Sequence, residues 1–595
     1  MNSNQNKLLL SGHDKLKRTF SLALIFIFSI SLIGCKSFKD NGRTKEEESA
    51  LFEEFCTQEF KDSLKNDSFS INFMLKNPKE YGIEPDELKI DNISEEYNKD
   101  AIKENTEVLN KLDDFDYDKL DDNQKITYDT LKEFLDNQIE MSKLPDYQSL
   151  FSPSKGIISS APTSYIEYII EDKKDAEDYI ELEKKFKEYI DSALEYTKKQ
   201  SEEGYFMTDY AIDKVVEQCN NFLKDNDNPF ESSYNTKIDA LNCITSEQKE
   251  GYKSLNKQVV DEYIIPSYKN VIETLTGFKG KCTNTGGLCN YKKGKDYYES
   301  IMKISTGTDK SMNKIIKQVE DNLEESIKVI TQNSQNTANI SNELKVQDNG
   351  PANIINYLKD NIKEYYPEIG KTDFSVDYQS KSLEVEGIIA YYMTSRIDDY
   401  NNNHIKINES AVTNNPELLY TTLAHESYPG HLYQHVYFCE TNPNPIRFLT
   451  VNLGYAEGWA EYASDSSLDF LNIDKSLSEY IKSENFANSL LYTRMDIGIN
   501  YEGWDLADLK KYLKKYSVDN DSIAESYYDS IVANPGIMLP YAIGKIEMME
   551  LKNHAQEKLK DKFDIKEFNK VILDTGNVPF DILKKQVEKY INENK

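Results

Sequence analysis

Three of the six histidines in the chain, His425, His431 and His435, lie within eleven residues of one another. Glu426 directly follows the first of them. A His-Glu pair on a helix is how the zinc-hydrolase motif H-E-x-x-H begins: the imidazole binds the metal, and the neighbouring carboxylate accepts a proton from water. The pair therefore indicates metal-dependent hydrolysis as a candidate chemistry.

The spacing after this pair departs from the ordinary motif. The second histidine should come four residues after the first, but Pro429 occupies that position and His431 comes two residues later. On an ideal helix His431 would point away from His425. Proline removes a helical hydrogen bond, and Gly430 permits unusual backbone dihedrals. We predict that Pro429 and Gly430 interrupt the helix and return His431 to the metal.

A third ligand is expected from the helical segment 454–463, where Glu457 and Glu461 share one face. One glutamate could bind zinc while the other orients a ligand histidine. Other interpretations stay open on the residues alone. An acidic helix is usually a solvated surface, and a lone His-Glu pair often is too. His431 and His435 also form a second possible metal pair.

Helices must position these side chains. Asn415 suits the cap of a helix that begins at Pro416 and has His425 and Glu426 near its end. Apolar residues at three- and four-residue spacing predict further helices throughout the chain. The clearest of these segments are 125–142, 176–200, 255–275, 311–332, 479–494 and 545–560.

Strand patterns are few, so we predict a mainly α fold with a small β-sheet near the active site. Only 374–378 and 404–408 alternate as strands do, and 225–229 and 277–294 are typical of loops. The strand around 405–407 could pair with the backbone of a peptide substrate. A purely structural strand is an equal alternative.

The N-terminus predicts export and lipid anchoring. An apolar stretch from Phe20 to Ile33 follows a basic cluster and has the length of a signal-peptide core. It ends in Leu32-Ile33-Gly34-Cys35, which resembles a bacterial lipobox with Cys35 as the lipidated residue. An ordinary signal peptide or an anchor helix is the alternative. We predict a signal peptide over 1–35, a flexible tether over 36–49 and one large unit over 50–595, which could be two-lobed.

Charge and composition exclude several classes of function. The chain has 71 Lys and Arg against 103 Asp and Glu, a net charge of −32. Residues 1–34 carry +3, so their removal leaves −35. This charge argues against nucleic-acid binding and favours cationic peptides. A mean hydropathy of −0.67 argues against a polytopic membrane protein. Cys282 and Cys289 flank a turn and could form a short disulfide.

Several segments resemble one bacterial family. Residues 425–434, His-Glu-Ser-Tyr-Pro-Gly-His-Leu-Tyr-Gln, resemble the H-E-x-x-P-G-H-x-x-Q signature of the "domain of unknown function 885" (DUF885) proteins, which are grouped with the gluzincin-like zinc metallopeptidases. Residues 457–463 are similar to the family segment E-G-W-A-x-Y-A. Residues 494–500 resemble R-x-x-D-x-G-x-H with a spacing one residue shorter, and 541–551 resemble a Y-x-I-G helix. Weaker similarity extends back to about residue 50.

This resemblance implies a zincin-like fold and a set of roles. It implies that His425, His431 and Glu457 bind Zn²⁺ and that Glu426 is the general base. Glu461 stands where the family commonly has an apolar residue, which leaves open which glutamate binds zinc; we expect Glu461 to orient a ligand histidine.

The remaining roles are less direct. Gln434 ends the signature and is expected to support the ligands with Glu461. Tyr541 and Arg494 would stabilise the oxyanion or bind a substrate carboxylate, although Tyr541 could equally be a core residue. Asn500 stands where the family pattern has histidine.

Together these features predict a lipid-anchored, extracytoplasmic zinc metallopeptidase that hydrolyses peptide bonds with a zinc-activated water. The alternatives are a non-catalytic lipoprotein that binds a peptide or solute, and a degenerate peptidase that serves as a scaffold.

Overall fold

The computed structural model describes residues 42–84, 87–90, 93–225, 227–334, 350–379, 388–414 and 418–595. The predicted signal peptide with Cys35, most of the tether and the predicted helix cap at Asn415 and Pro416 lie outside these residues. The described chain is mainly helical with one small sheet, as predicted. No helix among the described residues has the length and apolar character needed to cross a bilayer.

Ten helices come first along the described chain. They are α1 (Lys45–Leu64), α2 (Ser68–Met74), α3 (Glu95–Asp113), α4 (Asp122–Met141), α5 (Ile157–Glu167), α6 (Lys173–Glu202), α7 (Asp209–Lys224), α8 (Pro229–Ala240), α9 (Ser246–Val259) and α10 (Ile265–Thr276). The segment predicted as one helix over 255–275 is thus divided between α9 and α10. A π-helical turn over 260–264 separates them, and Pro266 occupies the first turn of α10.

Three more helices precede the sheet: α11 (Gly294–Thr306), α12 (Met312–Asn333) and α13 (Pro351–Asn361). The sheet contains β1 (Asp373–Tyr378), β2 (Ala390–Met393) and β3 (Asn402–Ile407). The C-terminal helices are α14 (Glu409–Asn414), α15 (Leu419–Glu426), α16 (His431–Glu440), α17 (Leu453–Ser467), α18 (Lys475–Ile497), α19 (Leu506–Lys514), α20 (Asp521–Ala533), α21 (Leu539–Leu559), α22 (Ile565–Thr575) and α23 (Phe580–Asn594).

The sheet corrects one prediction. β3 lies in the middle, parallel to β1 and antiparallel to β2, with Ile405 opposite Val376 on one side and Tyr392 on the other. Both hydrogen-bonding edges of β3 are therefore occupied. The hypothesis that this strand adds a substrate backbone is wrong, and β1 and β2 form the sheet edges.

A buried apolar cluster surrounds the segment that carries the histidine pair. It joins the sheet to α13, α15, α16, α17 and the last three helices. Ile405, Leu423, Tyr428 and Trp459 have no exposed surface. Dense burial of this kind restricts side chains to single positions, which a metal site requires.

The described cysteines are unpaired, so the predicted short disulfide is absent. The Cys282 thiol donates to the carbonyl of Phe206 at 3.3 Å. The Cys289 thiol donates to the carbonyl of Ile499 at 3.4 Å. The two sulfur atoms are thus directed at separate parts of the backbone.

Candidate metal centre

The histidine pair is brought together by a break between two helices. α15 ends at Glu426 and α16 begins at His431. The Gly430 N–H donates to the carbonyl of Ala424 at 3.0 Å, which folds the chain back onto the end of α15. A Cβ at Gly430 would lie only 1.8 Å from the His425 carbonyl oxygen, so this approach requires glycine. The predicted interruption of the helix is present.

α17 brings Glu457 to the same point. Its Oε2 atom lies 3.3 Å from His425 Nε2 and 3.4 Å from His431 Nε2. All three side chains are buried. These separations lie within ion-pair distance, but the three atoms form no hydrogen bond. One carboxylate oxygen and two imidazole nitrogens therefore converge on a single small volume.

This donor set fits a metal ion. Buried polar atoms without partners are costly and rare in folded proteins, and here three lie together. With ligand bonds of about 2.0–2.1 Å, the edges of a zinc tetrahedron are about 3.4 Å long. The two measured separations match that length. Two imidazoles and one carboxylate leave the fourth position of a tetrahedral site open, as catalytic zinc sites do.

Glu426 lies beside this cluster with one oxygen fixed. Its Oε2 accepts a hydrogen bond from the Tyr392 N–H of β2 at 2.9 Å, and its Oε1 has no partner among the described residues. Burial raises the pKa of Glu426 to about 8; His431 opposes this shift and Glu457 adds to it. The carboxyl group can therefore exchange a proton near neutral pH.

The pKa of Glu457 shifts in the opposite direction. Burial raises its pKa, but the charge of His431 and the contacts with both histidines outweigh burial and lower the pKa to about 2. Glu457 is therefore ionised over the physiological range, which is the form that binds a cation.

Two residues of α17 support the cluster from outside. Glu461 Oε1 lies 3.5 Å from His425 Nδ1, the nitrogen that faces away from Glu457. A carboxylate on the far nitrogen fixes the tautomer and orientation of a metal-binding histidine. Trp459 is fully buried, and its indole N–H donates to the carbonyl of Pro429 at 3.0 Å. The tryptophan thus ties the loop between the two histidines to α17.

α21 closes the other side of the centre. It crosses α17 at glycines: a Cβ at Gly458 would lie 2.4 Å from the backbone of Gly544. This close approach places Tyr541 against His425, with 6.4 Å between ring centroids and 21° between ring planes. Tyr541 is also largely buried.

Arg494 has other partners. Its Nε donates to Glu320 at 2.7 Å, its Nη1 lies 2.8 Å from Glu502, and its guanidinium lies 4.4 Å from the centre of the Trp504 ring. Two carboxylates and an aromatic ring thus bind this cation within the packing of α12 and α18. None of these contacts involves His425, His431 or Glu457.

Asn500 has a structural position in the same region. Its side chain donates to Asp496 at 3.0 Å and accepts from the Leu288 N–H at 3.0 Å. Asp496 also accepts from the Tyr298 hydroxyl at 2.7 Å and from the Gly536 N–H at 2.8 Å. The asparagine thus joins a buried network that ties α18 to two loops.

Gln434 and His435 have partners outside the cluster of His425, His431 and Glu457. Gln434 contacts the Tyr455 hydroxyl. His435 Nε2 lies 2.9 Å from the carbonyl oxygen of Ser395, and burial lowers the pKa of His435 to about 4. The alternative metal pair of His431 and His435 is therefore not formed.

One contact at the centre, the hydrogen bond from the Tyr392 N–H to Glu426, could not be predicted from the sequence. Tyr392 contributes its backbone N–H, which any residue except proline could supply. Its strand, β2, is a short apolar run without clear alternation.

Comparison with known proteins gives a family and a fold. The family described as "Bacterial protein of unknown function (DUF885)" matches residues 78–587. No curated protein matches the chain. A candidate lipoprotein from Colwellia psychrerythraea has a TM-score of 0.77 and 18% identity, over 92% of this chain and 99% of that one. A candidate lipoprotein of unknown function from Shewanella oneidensis has a TM-score of 0.60 and 14% identity, over 91% and 99%. At these identities the likeness concerns the fold alone.

Proposed function

The chain belongs to the DUF885 family of bacterial proteins, and we propose that it is a zinc-dependent peptidase. The observation that carries this proposal is the convergence of three buried, unpartnered donor atoms beside the buried carboxyl group of Glu426. The resemblance of residues 425–434 and 457–463 to the DUF885 signature, whose family is grouped with the gluzincin-like metallopeptidases, adds to it.

Different residues have different roles in the proposed hydrolysis. A zinc ion held by His425, His431 and Glu457 would supply Lewis-acid activation of water and of the substrate carbonyl. Glu426 accepts a proton from the attacking water at Oε1 and later donates it to the leaving amine. The Tyr392 N–H holds the other oxygen of Glu426, so the accepting oxygen keeps one orientation.

Two further residues were expected to stabilise the transition state. Tyr541 lies against His425, and a phenol there can donate a hydrogen bond to the developing oxyanion. Arg494 has no part in the proposed mechanism, because Glu320 and Glu502 already bind its guanidinium group.

The decisive experiment compares metal content and peptide cleavage in the purified protein and in Glu426→Gln. We expect about one zinc per chain in both, and a loss of cleavage of about 10²–10⁴-fold in the variant. Glu479→Gln, an exposed glutamate on α18 paired with Lys475 at 3.6 Å, is the matched control.

Other results would point elsewhere. Zinc-free protein, or cleavage unchanged in Glu426→Gln, would contradict the mechanism. Bound zinc without hydrolysis would favour the degenerate scaffold. Tight peptide binding without metal or turnover would favour a binding lipoprotein.

We also propose that the protein is anchored outside the cytoplasm by lipid on Cys35. The lipobox-like segment 32–35 supports this location, as do two proteins of similar fold described as candidate lipoproteins. Cys35→Ser should move the protein from the membrane fraction to the soluble or secreted fraction and abolish labelling with a fatty-acid probe. Unchanged membrane association without label would indicate an anchor helix instead.

A further inference from the structure

A cavity of about 630 Å³ lies apart from the metal-binding triad. It forms where the segment before α5, the start of α7 and the segment before α21 meet; its walls include Tyr147, Lys155, Ser164, Thr208, Leu288 and Pro535. The volume is within the range of about 300–1,000 Å³ that binds small molecules and short peptides. The proposed mechanism makes no use of this space.

Lys155 is the single lysine or arginine among the described residues that line the cavity. Its side chain is exposed, and the density of the surrounding protein still lowers its pKa, with the charge of Asp496 opposing this shift. Its ammonium group forms no hydrogen bond or ion pair with the side chains and backbone of the described chain. An unpaired ammonium group on the wall of a cavity can donate charge-assisted hydrogen bonds to an anion.

The carboxylates of the cavity have other partners. Asp146 accepts hydrogen bonds from the hydroxyl groups of Tyr297 at 3.1 Å and Tyr196 at 3.2 Å. Asp67 caps α2 and accepts from the backbone N–H of Ser70 at 2.9 Å. Neither carboxylate forms an ion pair with Lys155, so the lysine remains available to an anionic ligand.

The walls of the cavity are partly aromatic. Tyr147 stacks on Tyr291 with 4.6 Å between ring centroids, and the edge of Tyr205 packs against both rings. An anion with an apolar or aromatic side chain would find complementary surface here.

One helix and the sheet connect the cavity to the metal centre. Ser164 of α5 lines the cavity, and Glu167, three residues later, forms an ion pair with Lys406 of β3 at 3.3 Å. β3 pairs with β2, whose Tyr392 N–H binds Glu426.

A second segment makes the same connection. Pro535 lines the cavity, and Tyr541, six residues later, packs against His425. Six residues span at most about 21 Å. Pro535 and Tyr541 are therefore no farther apart than an extended peptide of about six residues can reach.

We propose that Lys155 binds the C-terminal carboxylate of a short peptide whose scissile bond lies at the metal centre. The substrate class is then short peptides with a free carboxyl end, and the cavity holds the residues on the carboxyl side of the cleaved bond. This inference rests on the proposed peptidase function, so its tests separate the binding of a carboxylate from hydrolysis.

The first test measures binding without turnover. Calorimetry with the full chain should show that N-acetyltyrosine binds about 10- to 100-fold more tightly than N-acetyltyrosinamide, because a hydrogen bond to a charged group contributes that much. Lys155→Met should abolish this preference and Lys155→Arg should restore most of it. Lys279→Met, which removes an exposed lysine paired with Asp213 at 2.7 Å, is the matched control.

Two binding results would overturn the inference. One is equal affinity for acid and amide, or no binding of the acid, in the wild-type protein. The other is an unchanged preference in Lys155→Met. Retention of the preference in Lys155→Arg guards against a variant that has merely lost its fold.

The second test uses one peptide sequence with a free or an amidated carboxyl end. The wild-type protein should show a KM about 10- to 100-fold lower for the free acid, and Lys155→Met should remove this difference. Equal KM values with normal cleavage would overturn the carboxylate anchor and leave the peptidase standing. Selective acid binding without cleavage of either peptide would overturn the peptidase and leave the carboxylate site standing.

Discussion

Glu426 and Glu457 lie near the same two histidines, yet their surroundings move their pKa values in opposite directions. Glu457 contacts both imidazoles, and their charge outweighs the effect of burial. For Glu426 burial dominates, and a single backbone N–H does not compensate for it. Two carboxyl groups in one site thus acquire different roles, one as an ionised ligand and one as a proton carrier.

This difference predicts the pH dependence of stability in the metal-free protein. The folded pKa of Glu426, about 8, lies above its ordinary value of 4.5. The folded state therefore keeps a proton that the unfolded state releases, and stability falls as pH rises from about 4.5 to 8. In Glu426→Gln this fall should be smaller. Denaturant unfolding at several pH values, with a chelator present, measures it.

Glu457→Gln provides the opposite control. In the wild-type protein the folded pKa of Glu457, about 2, lies below 4.5. The stability that ionised Glu457 contributes is therefore complete above about pH 4.5 and is lost as pH falls toward 2. The variant should therefore lose acid sensitivity in that window. Unfolding curves that respond to pH identically in both variants and the wild-type protein would contradict these assignments.

Glu461 offers a second prediction for a single residue. Its carboxylate faces the outer nitrogen of His425, so Glu461→Gln should weaken metal binding about 10- to 100-fold without removing a ligand. Competition with a chromophoric chelator measures the affinity, and excess zinc should restore cleavage. Unchanged affinity would show that Glu461 does not orient His425.

At the scale of elements, the site depends on how closely four helices approach. α15 and α16 are joined through Gly430, and α17 meets α21 through Gly458 and Gly544. Small residues let backbones come together, so side chains from separate helices reach one point. The position of Glu457 is therefore a property of the helix crossing as well as of its own residue.

Gly458→Ala tests this dependence. The new methyl group would lie 2.4 Å from the backbone of Gly544, so α17 must shift away from α21. We expect about 1–3 kcal/mol of destabilisation, together with weaker metal binding. Gly251→Ala in α9 is the control: nothing lies within 4 Å of the added Cβ, and it should stabilise by about 0.4–1 kcal/mol. Equal effects of the two substitutions would show that the helix crossing is not tight.

At the scale of the whole molecule, charge is the dominant feature. Removal of residues 1–34 would leave a net charge of −35, which attracts cationic peptides over long range. Salt screens such attraction, with a Debye length of about 8 Å at physiological ionic strength. The same charge would favour solubility of the unit over 50–595.

The KM for a lysine-rich peptide should therefore rise with ionic strength, while the KM for a neutral peptide of equal length should change little. Steady-state kinetics between low and high salt measure both. A parallel rise for both peptides would indicate a general effect of salt on the enzyme and no preference for cationic substrates.

Local features of the chain were predictable from the sequence. Periodic apolar residues predicted the major helices, and alternation predicted β1 and β3, because these patterns depend on neighbours along the chain. Pro429 and Gly430 predicted the break between the histidines for the same reason: proline and glycine act on the backbone where they stand.

Contacts between distant segments were decided only by the tertiary structure. It separates Glu457, which faces both histidines, from Glu461, which faces the outer nitrogen of one. In the folded chain, Arg494 forms ion pairs with two carboxylates, and Lys155 lines a cavity. Residue type sets what a side chain can do, but its partner depends on how helices pack across hundreds of residues, and no short pattern in the sequence records that packing.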